Sequence, residues 1–143
     1  MRSGLRGTII GLWTIAALSV AATSAIAADD AAIAVGKAQY MKHCATCHGP
    51  SGTGTDGVAS RLFTKPPANL TLLAKNNGGK FPMMEVIGIV KGDRPIAAHG
   101  TREMPVWGLT FSKREVPKGE DPDAVARGRI EALIEYLKTI QRK

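Results

Sequence analysis

The chain is poor in cysteine, with two in 143 residues. That excludes a scaffold of several disulfides and a zinc site made from two cysteine pairs. Aromatic residues make up only 5%. A domain of this size buries limited apolar surface by itself, so a large apolar group at its centre would ease the shortage. No internal repeat and no low-complexity segment is present. The net charge of +7 is spread along the chain without a basic block. With no groove-reading motif either, nucleic-acid binding is not expected. The longest apolar run, from Thr8 to Val20, falls short of the roughly 20 residues that span a bilayer.

What is present begins with an address. Arg2 and Arg6 precede the apolar run, and Ala25-Ile26-Ala27 fits a small-residue cleavage site. This is the layout of a secretory signal peptide over residues 1–27, leaving one domain over 28–143. An uncleaved N-terminal anchor is the alternative. Export implies that the chain crosses the membrane unfolded and acquires any cofactor in the periplasm. Loss of Arg2 and Arg6 lowers the net charge to +5. The lysines serve solubility or dock an acidic partner.

The pattern predicts an all-α domain of three or four helices separated by long loops. Asp30 is a candidate N-cap for a helix running towards Cys44, interrupted by Gly36. Gly49 to Pro67 is loop-rich, and Gly49 to Gly57 within it cannot hold a helix. Asn69 caps a short one, and Pro82 and Gly92 bracket Met83–Lys91. Residues 93–120 read as a long irregular segment. The final helix is the clearest: Asp121 caps it, Pro122 follows, and Ala126, Ile130, Leu133, Leu137 and Ile140 recur at helical spacing.

Both cysteines lie in Cys44-Ala45-Thr46-Cys47-His48. A redox dithiol expects a βαβ pattern around it, which is missing, and a zinc site expects further ligands, which three histidines and no second cysteine pair do not offer. C-x-x-C-H behind an export signal points to covalent attachment of a c-type haem. One helical turn puts both sulfurs on one side, where they reach the two vinyl groups of a porphyrin edge, and the next residue, His48, swings its imidazole under the ring. His43 lacks this spacing and reads as a surface residue.

The stretch Gly36, Tyr40, Cys44 to Gly49, Gly52 and Gly54, with Tyr136 in the last helix, closely resembles class I c-type cytochromes. The resemblance covers about residues 33–140. It implies a cytochrome c fold around one haem c, with Gly36 admitting the C-terminal helix. Met104-Pro105 matches the family's distal-ligand motif, so His48 and Met104 are the expected iron ligands; Met41 is too near the attachment edge, and Met83 and Met84 read as core filler. His99 is the rival ligand or a propionate partner. Trp107 is expected to wall the pocket or reach a propionate with its indole N–H. In the family a carbonyl from a proline-containing loop accepts a hydrogen bond from the proximal histidine, and Pro66 or Pro67 is the positional match.

An iron with two protein ligands has no free position for substrate. The expectation is a one-electron carrier rather than an enzyme, with no small-molecule substrate, exchanging electrons with acidic-surfaced redox proteins such as a terminal oxidase or a dehydrogenase. It would act as a monomer or as the haem subunit of a periplasmic complex, with loose membrane association a further option. An open-iron peroxidase is the third possibility.

Overall fold

Ala-rich sequence carries the first helix, α1 (Ala16–His43), straight through Asp29 and Asp30. Asp30 therefore does not start a helix: the alanines on both sides have the strongest helix propensity, and this outweighs the local capping signal. The computed structural model describes residues 16–94, 104–113 and 116–143, with side chains from residue 29 onwards. After α1 come α2 (Ala45–His48), α3 (Leu73–Asn76), α4 (Met83–Lys91), α5 (Trp107–Lys113) and α6 (Pro122–Thr139). Two single 3₁₀ turns, Ser60–Leu62 and Leu70–Leu72, lie in the long loop between α2 and α3. No strand occurs among the described residues, in keeping with an all-α cytochrome c fold. No described helix is long and apolar enough to cross a membrane.

The platform of the fold is the crossing of α1 and α6. A Cβ at Gly36 would fall on the Ala132 carbonyl oxygen and lie 2.9 Å from Tyr136 Cβ. Only glycine lets the two backbones approach this closely. One turn further on, Tyr40 and Tyr136 pack with ring centroids 5.3 Å apart. Tyr40 is fully buried, and its hydroxyl donates to Gly49 O at 2.5 Å. The inner face of α6 supplies Ile130, Leu133, Ile134 and Leu137. Each such side chain, fully buried, stabilises the fold by about 1.5–3 kcal/mol. Asp121 caps α6 by accepting from Asp123 N and Ala124 N at 3.2 and 3.3 Å, a contribution of about 1 kcal/mol.

Two departures concern the segments that complete the core. Residues 107–113 are not irregular but form α5, which seats Phe111, 1% exposed, on the core. A seven-residue helix carries too little periodicity to stand out between glycines and prolines. His43 is not a surface residue: its ring meets Trp107 and Phe111 of α5 at centroid distances of 5.1 and 5.3 Å. Helix α4 closes the remaining side with Val86 and Val90 and ends at Gly92, where φ is +88°.

Candidate functional site

The pentapeptide of residues 44–48 folds as one tight turn because its carbonyls are taken up locally. Cys44 O accepts from Cys47 N (3.1 Å) and His48 N (2.8 Å), and Ala45 O accepts from Gly49 N (2.9 Å). Thr46 O accepts from Ala59 N and His48 O from Gly54 N, both at 2.8 Å. The turn thus fixes three side chains, Cys44, Cys47 and His48, on the wall of one cavity. Cys44 and Cys47 are not joined in a disulfide. Burial, with a smaller contribution from Cys47, pushes the Cys44 thiol up to about 12. A redox dithiol needs the opposite shift.

The orientation of His48 follows from one contact. Its Nδ1 lies 2.9 Å from Ala68 O. A carbonyl only accepts, so Nδ1 carries the proton and Nε2 keeps its lone pair for a metal. The acceptor belongs to Ala68, not to Pro66 or Pro67. Pro67 is buried on the cavity wall, and its own carbonyl faces Gly54; Pro66 is exposed and does not line the cavity. The glycine loop causes this. Gly54, with φ of +80°, passes so close to the Pro67 carbonyl that a Cβ would collide with it, and Leu70 N donates to Gly52 O at 2.8 Å. The strand of chain between these two anchors turns its next carbonyl, that of Ala68, to His48. A proline marks the loop in sequence, but which of three consecutive carbonyls points inwards depends on this long-range contact.

The cavity has a volume of about 160 Å³ and opens to solvent. Its remaining wall is almost wholly apolar, formed by Tyr40, Leu70, Leu73, Val86, Ile89, Val90, Leu133 and Leu137. Met104, Pro105 and Trp107 line it too. Of the methionines with described side chains, Met104 alone reaches the cavity; Met41, Met83 and Met84 are exposed at 46%, 39% and 74%. Met83 and Met84 are therefore not core filler, since they sit at the start of α4 on its outer side. Trp107 is half-buried against His43. His99 lies outside the described residues.

This donor set fits a haem. His48 and Met104 line an apolar space together with Cys44 and Cys47. Among the described residues no group of three His, Cys, Asp or Glu could hold a bare metal ion. The polar inventory is what remains when the porphyrin itself supplies four of the iron's ligands and two thiols anchor its periphery. Sequence reasoning missed Ala68, because a backbone carbonyl has no side-chain signature. It also missed His43 on the cavity wall, because the aromatic partners of His43 are more than sixty residues away in the chain.

No curated protein and no solved structure matches the chain. Residues 31–118, from the middle of α1 to the loop before α6, match the family described as cytochrome c oxidase, cbb3-type, subunit III. That span contains the attachment turn, the Ala68 carbonyl and Met104, and its members are c-type cytochrome domains binding covalent haem and serving haem-based electron transfer. With more than half its length matched, the chain belongs to this c-type cytochrome family.

Proposed function

We propose that the protein is an exported mono-haem electron carrier whose iron is held by His48 and Met104. The single observation that carries this reading is the convergence of Cys44, Cys47, His48 and Met104 on one apolar cavity. The haem supplies a one-electron ferric–ferrous couple. His48 offers Nε2 because Ala68 holds its other nitrogen protonated. Met104 offers a thioether, a weak donor that favours the ferrous state and raises the potential. The apolar wall excludes water and so favours the less charged form. With both axial positions taken by the chain, no site remains for a substrate, and the protein is a carrier rather than an enzyme.

Residues 1–27 would direct export to the periplasm and be removed. The exchange surface would lie beside Cys47. There Val58 and Leu62, 91% and 84% exposed, stand on the loop that Ala59 ties to Thr46, flanked by Arg61 and Lys65. Exposed aliphatic residues with a basic rim suit a transient contact with an acidic redox partner. A permanent place in an oxidase complex is the second reading, favoured by the description of the matched family.

The test is spectroscopic. The oxidised protein should show the weak near-infrared sulfur-to-iron band, and Met104→Ala should abolish it, lower the potential and admit carbon monoxide. A wild type without that band at neutral pH would remove Met104 as ligand. Electron exchange with an acidic partner should weaken steeply with salt if the protein is a free carrier; salt-insensitive co-purification with an oxidase would favour the second reading.

A further inference from the structure

Gln141 does not line the cavity, yet its side chain makes three hydrogen bonds to the backbone around it. The amide nitrogen donates to Leu70 O at 2.8 Å and Leu137 O at 2.7 Å, and the amide oxygen accepts from Ala74 N at 2.9 Å. Only the nitrogen can donate to two carbonyls, so the amide has one orientation. Arg142 N adds a bond to Thr71 O at 2.8 Å. The residues just after α6 therefore clasp the segment 70–74.

That segment continues directly into the acceptor of His48. Ala68 stands two residues before Leu70. Between them Asn69 is locked, its Oδ1 accepting from Thr71 N at 3.0 Å and Thr71 Oγ1 at 2.7 Å. Thr71 is 2% exposed. A shift of Leu70 is thus passed to Ala68 through a turn with little slack. The Ala68 carbonyl is exposed to competition from water, since Ala68 lies at the surface. Holding it at 2.9 Å from Nδ1 requires that its neighbours be held.

We propose that Gln141 is a positioning residue for the haem: it fastens Leu70 and Ala74 to the end of α6 and thereby keeps the Ala68 carbonyl on His48 Nδ1. This rests on the reading of His48 as an iron ligand. The hydrogen bond raises the basicity of the imidazole, and a more basic ligand favours ferric iron. Freeing Leu70 lengthens the bond, weakens the ligand and raises the potential.

Two variants test this on the haem-loaded protein. Gln141→Met keeps length and volume but makes none of the three bonds. Gln141→Glu keeps the acceptor for Ala74 N and loses both donations. Gln141→Met should raise the ferrous-to-ferric ratio at a fixed potential about threefold, or ~28 mV at 59 mV per tenfold, and Gln141→Glu should raise it less, because its added negative charge favours ferric iron. Each should also speed exchange of the His48 Nδ1 proton, followed by its paramagnetically shifted resonance. A lowered melting temperature with unmoved potential and unmoved proton exchange, in either variant, would make Gln141 a structural tie only and overturn the proposal. A wild type whose Nδ1 proton shows no paramagnetic shift would instead remove His48 as ligand, and the proposal with it.

Discussion

Backbone hydrogen bonds hold the residues around His48, whereas apolar side chains hold those around Met104. On the first side, Gly54 N and Ala59 N bond to His48 O and Thr46 O of the turn, and Leu70 N bonds to Gly52 O, each at 2.8 Å. On the second, Val106 rests its methyls on Gly92, Trp107 lies against His43, and Phe111 anchors α5 in the core. The main-chain bond that enters α5 there, Thr110 N to Val106 O, is longer at 3.3 Å. The two designs respond differently to stress. Directional bonds fix a carbonyl to a fraction of an ångström and fail when one is lost. Packing tolerates small shifts, so a side chain held by it can leave and return without unfolding the rest.

The largest expected effect tests that asymmetry directly. His48→Ala should reduce the yield of haem-loaded protein by an order of magnitude or more, because it removes the proposed iron ligand and strands the Ala68 carbonyl. Met104→Ala should load haem near wild-type levels. Comparable losses of loaded protein in both variants, measured by absorbance per milligram after export, would erase the distinction.

The same contrast explains what was legible in the sequence. The turn that sets out Cys44, Cys47 and His48 is closed by hydrogen bonds within five residues, so it was legible from spacing, although the orientation of His48 by Ala68 was not. The cap at Asp121 and the apolar stripe of α6 are equally local, and Gly36 stood out as a glycine inside a helical pattern. Met104 was reached through its neighbour Pro105 and a family likeness, not through periodicity. The Ala68 carbonyl, the contacts of His43 and helix α5 were not readable. Each depends on a partner far along the chain: Gly54 for Ala68, Trp107 for His43, α6 for Phe111. The Asp30 cap failed for a related reason, since the helix that ignores it gains from alanines on both sides.

An intermediate effect is expected where a single methyl group is added on the hydrogen-bonded side. Gly54→Ala meets a positive φ of 80° and the Pro67 carbonyl together. The conformation alone costs about 1–3 kcal/mol, and the collision adds to it. Val106→Ala, which only trims methyl groups from the packed side, should cost about 1 kcal/mol. Urea denaturation of the loaded proteins measures both. A Gly54→Ala variant no less stable than Val106→Ala would mean that the loop around His48 is as forgiving as the one around Met104.

The smallest effect is a pH dependence confined to one side. Hydrogen bonds from Ser51, helped by Thr53, hold the Asp56 carboxyl below its ordinary value of 3.8, against a smaller opposing effect of burial. Ser51 N and Thr53 Oγ1 lie 3.1 and 3.2 Å from its oxygens. A carboxyl with a depressed folded-state value stabilises the fold above its unfolded value, and that contribution is lost as the pH falls through the folded one. Residues 104–113 contain no acidic side chain. Acidification below about pH 4 should therefore speed amide exchange at Gly54, beyond its intrinsic pH dependence, before it does so at Thr110. Asp56→Asn should remove the difference between the two amides. The effect is slight because Asp56 is exposed and water competes for the same donors. Even so, a parallel acid response at Thr110, or one at Gly54 that survives Asp56→Asn, would place the acid-sensitive contact elsewhere and blur the division between bonded and packed walls.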